Sequence, residues 1–243
     1  IGGDSQDHDP SESQGNLIEH VRLSRPGHAT AGDGPLTGAL TAIAVDNAGA
    51  EVRNNVVDGY FIAYGGWNMQ SVWFHDNVAI NNRYGLNVDS FSNLGVVFES
   101  NRIINPSSYG IVMGGGVPQQ RFSGWKVSNN TIELDSENSV GIVLHGQVQG
   151  AIFSGNKILS GHPGLKEGEA IWSYDAATGV ANVGNIFQDN QFDSNLRIDF
   201  SQDPDFNTNC RFQNRDLSGR SRPDFPDNSG GPSGCSNFAV SSR

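Results

Sequence analysis

Phe98-Glu99-Ser100-Asn101-Arg102-Ile103-Ile104, followed shortly by Tyr109-Gly110-Ile111-Val112-Met113, decides the fold. The first segment has an apolar residue, two polar ones, an Asn, a variable residue and then apolar residues. The same pattern recurs as Val52-Arg53-Asn54-Asn55-Val56-Val57, Phe74-His75-Asp76-Asn77-Val78-Ala79-Ile80 and Val127-Ser128-Asn129-Asn130-Thr131-Ile132. It returns as Phe153-Ser154-Gly155-Asn156-Lys157-Ile158 and Phe187-Gln188-Asp189-Asn190-Gln191-Phe192. Successive Asn positions are 22, 24, 29, 26 and 34 residues apart. The second segment also has partners: Tyr84-Gly85-Leu86-Asn87-Val88, Val140-Gly141-Ile142-Val143-Leu144 and Glu169-Ala170-Ile171-Trp172. Tyr60-Phe61-Ile62-Ala63-Tyr64 is a looser copy.

Alternation of apolar and variable residues is the period of a strand. Each repeat therefore holds two or three short strands joined by tight turns. One such unit cannot bury its apolar face alone, whereas stacked copies can. Stacking one turn per repeat places the Asn residues above one another, where their amides can hydrogen-bond along the stack. Asn is also expected to take the left-handed backbone of the sharp turn. A propeller blade needs about 40–45 residues, more than this spacing allows.

The repeat resembles the right-handed parallel β-helix family, whose members include pectate lyases, polygalacturonases, alginate epimerases and phage tailspikes. The resemblance implies an all-β solenoid of roughly seven coils with an Asn ladder. It covers residues 16–200. Residues 1–15 read as a polar tail or linker, and residues 201–243 as an irregular C-terminal cap over the last coil. Cys210 and Cys235 are the two cysteines. A disulfide between them would hold the cap in place, contribute about 3 kcal/mol and imply an oxidising compartment. The start at Ile1, without a leader, reads as a mature or trimmed product, and a secreted or cell-surface location follows. No cap is evident before the first coil, so its strand edges are expected to meet the tail, another copy of the chain or a further chain.

Composition narrows the function. The 243 residues include 31 Gly, hydrophobic residues are 36% and charged residues 17%. A net charge of −11 argues against general nucleic-acid binding and against an anionic membrane surface. No apolar run is long enough to insert into a membrane as a helix. There is no zinc-ligand spacing, and Gly114-Gly115-Gly116 lacks the Lys-Ser/Thr of a phosphate loop.

In the β-helix family, ligands lie along one outer sheet and its flanking turns, and the Tyr109–Met113 type of segment resembles that sheet. Period-2 alternation then points Ala63, Asn87, Val112, Val143 and Trp172 outward in one row, and Gly65, Asp89, Gly114, His145 and Tyr174 in the next. Arg197 and Asp199 point outward on the last coil. The resulting groove has Asp89, His145 and Arg197 as candidate catalytic groups, and Asn87, Trp172, Tyr174 and Asp199 as candidate substrate contacts. Aromatic faces with polar tips suit sugar rings. Asp89 with Asp175 would hold Ca²⁺, a cation that prefers oxygen ligands, and Glu167 and Glu169 lie close enough to contribute. The expected ligand is an extracellular, uronate-type polysaccharide, bound and then cleaved or epimerised. The alternative is a structural or adhesive β-helix that self-associates through its coil ends. Against hydrolysis of the polygalacturonase type, the family's Asp-Asp position is occupied by Met113-Gly114-Gly115.

Overall fold

The computed structural model describes residues 15–25, 41–46, 49–88, 93–114, 122–162, 168–174, 182–203 and 208–228. A representative coil begins with Trp73–His75, bends into Val78–Ile80, crosses to Tyr84–Val88 and closes through the short Asn93–Leu94. Val97–Glu99 then opens the next coil, pairing parallel to Trp73–His75. Repetition of this path builds three parallel sheets. The first runs from Asn16–Glu19 to Cys210–Phe212 and the second from Arg22–Ser24 to Arg215–Asp216, each eight-stranded. The third, seven-stranded, runs from Thr41–Asp46 to Arg197–Gln202, and a three-stranded ribbon lines one corner. The described residues contain no α-helix. The architecture is a parallel β-helix, as the repeat predicts.

Like residues stack through the interior. Val52, Phe74, Phe98, Val127, Phe153 and Phe187 form the inner column of the first sheet. All are buried, and the Phe153 and Phe187 rings lie 4.7 Å apart and nearly parallel. Ile103, Ile132 and Ile158 form the column of the second sheet, and Leu86, Ile111, Ile142 and Ile171 that of the third. Burial of each such side chain stabilises by about 1.5–3 kcal/mol.

The ladder runs Asn55, Asn77, Asn101, Asn130, Asn156, Asn190 and Asn214, all buried. Each amide donates to the carboxamide oxygen of the next, over distances of 2.9–3.1 Å. Most also donate to a strand carbonyl one coil back, as Asn130 does to Phe98 at 2.8 Å. The left-handed turn residue is not the ladder Asn but the one before it: Asn54, Asp76, Ser100, Asn129, Gly155, Asp189 and Gln213 all have positive φ. The two tasks are divided because the ladder needs an amide pointing inward, whereas the bend needs only a residue that tolerates left-handed backbone.

Two further expectations are corrected. The coils do not stop at residue 200: Cys210–Phe212 and Arg215–Asp216 pair with Ile186–Gln188 and Gln191–Phe192. Asn209 and Asn214 accept from the backbone N–H groups of Asn185 and Asn190. Arg211 replaces the inward Phe of earlier coils, which hides this coil in the sequence. Its guanidinium lies 5.5 Å from the Phe225 ring centre and 5.9 Å from that of Phe200, and burial pushes its pKa down. The second correction concerns Ala63, which is buried; Gly65 is the residue paired with Asn87. Tyr64 takes the inward position because its hydroxyl reaches the carbonyls of Asn55 and Val78, each at 3.1 Å.

Candidate functional site

Outward residues of the third sheet form three rows. The first contains Thr41, Ile62, Tyr84, Tyr109, Val140, Glu169 and Arg197. The second contains Ala44, Gly65, Asn87, Val112, Val143, Trp172 and Asp199. In the third, His145 stands beside Tyr174 and Tyr174 beside Gln202. The structure thus brings Asn87, Trp172 and Asp199 into one row, with His145, Tyr174 and Arg197 on either side. Asp89 and Asp175, and with them the expected Ca²⁺ pair, lie outside the described residues, as does Glu167. So does Cys235; Cys210 is buried in the first sheet.

A continuous aromatic stripe crosses this face. Tyr84 and Tyr109 have ring centres 5.4 Å apart, Tyr109 and Trp172 6.4 Å, and Trp172 and Tyr174 4.3 Å. His145 lies 4.5 Å from Tyr174. All five rings are partly exposed, and the stripe rests on Val112, Val140 and Val143. Beside it the carboxamide oxygen of Asn87 is buried with no hydrogen-bond partner among the described residues. Tyr84 and Tyr109 were legible only as the starts of strands; the Tyr-Gly pair that opens both segments was the signal for them.

The stripe leads into a pocket of about 330 Å³. Tyr109 and Trp172 form its apolar wall, and Glu137, Glu169, Arg197 and Asp199 supply its charge. Arg197 donates to Glu169 Oε1 at 2.6 Å across adjacent coils. The two carboxyls differ in environment. Burial holds Glu169 above the usual carboxylate range, with the Asp199 charge adding to the rise and Arg197 opposing it. Asp199 is held below the usual range, chiefly by the Ser201 backbone N–H at 2.8 Å. Glu169 thus holds its proton to higher pH than Asp199, a division that suits proton donation beside a carboxylate.

A model of the family described as "Periplasmic copper-binding protein (NosD)" matches residues 11–214. No curated protein and no solved structure matches the chain. Copper favours imidazole, thiolate and thioether ligands. Among the described residues no three His, Cys, Asp or Glu side chains stand together as a metal site. The methionines, Met69 and Met113, are fully buried in the core. The donor groups in the described part of the chain do not fit a copper centre.

Proposed function

We propose that this chain, which belongs to the NosD family of periplasmic parallel β-helix proteins, binds a carbohydrate chain along the outer face of its third sheet. The observation that carries the reading is the contiguous stripe of Tyr84, Tyr109, Trp172, Tyr174 and His145. Rings lying flat on such a stripe exchange water for aromatic contact, while the polar tips hold hydroxyls. A saccharide running along the solenoid axis would cross a strand every ~4.8 Å. The end of the chain would enter the pocket, where Glu137, Glu169, Arg197, Asp199 and Gln202 offer donors and acceptors.

Charge in the pocket refines the ligand class. Three carboxyl groups face one guanidinium, and that guanidinium already serves Glu169. A uronate carboxylate would meet net negative charge there. The pocket therefore suits a neutral saccharide better than a polyuronate. Inside it, Arg197 and Asp199 would orient hydroxyls, and Glu169, the more readily protonated carboxyl, would donate to an acceptor oxygen.

Calorimetric titration with neutral and uronate oligosaccharides tests this. Neutral chains are expected to bind, with the Trp172→Ala variant weaker by about tenfold or more, equivalent to about 1.4 kcal/mol. Binding that is unchanged in Trp172→Ala, or silence across the whole panel, would remove the basis for the proposal.

A further inference from the structure

We propose a second saccharide-binding site, on the outer face of the first sheet at its N-terminal end, built on Trp73. A cavity of about 680 Å³, within the range of small-molecule pockets, opens there between the first sheet and the corner turn at Gln70 and Ser71. Leu17, Glu51, Gln70, Ser71 and Trp73 line it. Trp73 is 42% exposed, so its indole presents a broad apolar face to solvent at the edge of this cavity.

The indole does not lie loose on the surface. Its ring stacks on His75 with centres 3.9 Å apart and planes 26° apart. His75 is itself fixed at both ring nitrogens: Nδ1 faces Asp76 Oδ2 at 2.7 Å and Nε2 faces Glu51 Oε1 at 3.0 Å. Rotation of the imidazole would break one or both of these contacts, so Trp73 rests on a fixed plate. Arg53 also donates to Glu51 Oε1, at 2.8 Å, and bridges onward to Glu19. Both contacts to Glu51 fall on Oε1, which leaves Oε2 to accept from a ligand hydroxyl.

The lining selects the ligand class. A quaternary ammonium is bound by a cage of several aromatic rings, and here there is one. An anion would face Glu51 with no cation among the lining residues. An uncharged ring with hydroxyls at its edge fits the rest: its apolar face on Trp73, and its hydroxyls toward Glu51 Oε2, the Gln70 amide and the Ser71 hydroxyl. This site lies on a different sheet from the aromatic stripe and does not depend on it.

The test is calorimetric titration of the full chain with neutral gluco-, xylo-, manno- and galacto-oligosaccharides, with circular dichroism to confirm the fold of each variant. A Trp172→Ala chain, weakened on the third sheet, is expected to keep one site at its original affinity. Adding Trp73→Ala to it should abolish that site or weaken it by about tenfold or more, and Trp73→Phe, which keeps a smaller plate, should weaken it less. If Trp172→Ala leaves binding untouched and Trp73→Ala removes it, the second-site proposal stands and the reading of the third sheet falls. Equal binding by the Trp172→Ala chain with and without Trp73→Ala overturns the second site, as does a Trp172→Ala chain that binds nothing in the panel.

Discussion

Asn130 sits in the middle of the ladder, and its replacement measures what the ladder holds. Its Oδ1 accepts from the Asn101 backbone N–H at 2.9 Å and from Asn101 Nδ2 at 3.1 Å. Its Nδ2 donates to the Phe98 carbonyl at 2.8 Å and to Asn156 Oδ1 at 3.0 Å. Ala at this position removes all four bonds. The Asn101 amide of the side chain keeps its bond to Phe74, and Asn156 keeps the one from the Asn130 backbone. The buried Asn101 N–H is left orphaned. An orphaned buried donor costs about 1–3 kcal/mol and each of the other losses about 1 kcal/mol, so Asn130→Ala is expected to destabilise by about 5 kcal/mol. That is a large share of the roughly 5–15 kcal/mol that holds a domain together. Asn130→Asp sharpens the test. An ionised carboxylate can still accept from Asn101, but its second oxygen has no hydrogen for Phe98 or Asn156. Burial, together with the Phe98 and Asn156 oxygens that face the second carboxylate oxygen, outweighs the Asn101 donors and raises the folded-state pKa of this Asp above its unfolded value of about 3.9. The deficit relative to wild type is therefore largest at neutral pH and shrinks as pH falls through the folded-state pKa. Urea unfolding followed by circular dichroism at several pH values reads both effects, with Thr131→Ala as the control outside the ladder. A loss below about 1 kcal/mol for Asn130→Ala, or a pH-independent deficit for Asn130→Asp, would refute the argument that the amide bonds hold the coils in register.

Three further predictions can be checked in the same way. A Cβ on Gly141 would stand 2.7 Å from both the Ala170 carbonyl oxygen and Ile158 Cγ2, so Gly141→Ala should cost about 1–3 kcal/mol in chemical denaturation; an unchanged midpoint would contradict the close approach of the third sheet to the Ile column. Glu169 has its folded pKa raised above the ordinary 4.5 by burial, so its contribution to stability is fully present below the unfolded value and is lost as pH rises through the folded one. Thermal midpoints of wild type and Glu169→Gln should therefore diverge across that window, the variant gaining relative to wild type as pH rises; parallel curves would count against the buried placement. We also expect a Cys210–Cys235 disulfide: intact mass under non-reducing conditions should show no reactive thiol, and reduction should lower stability by about 3 kcal/mol.

The fold was largely legible because its signal is periodic and local. An Asn after an apolar-polar-polar run marks each bend, and the period-2 alternation marks each strand. Legibility failed where a residue served the end of the solenoid rather than its repeat. Arg211 occupies an inward position that every earlier coil fills with an apolar residue, so the pattern breaks just where the column meets Phe200 and Phe225. Tyr64 misled for a related reason. Matching Tyr60 to Tyr84 looked natural, yet Ile62 is the residue paired with Tyr84. Of the site, the alternation placed Trp172, Tyr174 and His145 on one face. What it could not give was contact between coils: Glu169 meets Arg197 across 28 residues, and Glu51 meets His75 across 24. Those distances depend on turn lengths, which vary from coil to coil and carry little local signal.

The ladder also gives the solenoid a direction. In the parallel sheets, backbone hydrogen bonds point up and down the axis in alternation, as Arg102 donating to Asn77 and Asp76 donating to Glu99 illustrate, and their dipoles largely cancel. The side-chain amides do not alternate. From Asn55 to Asn214 every carboxamide oxygen faces the preceding coil, and every NH₂ that continues the chain faces the following one. Dipoles aligned in this way polarise one another, leaving the column negative toward the first coil and positive toward the last. Two such columns placed end to end in the same sense would join opposite poles, whereas reversed stacking would set like poles against each other. The amides that keep the coils in register therefore also set a preferred sense for any neighbour stacked along the axis.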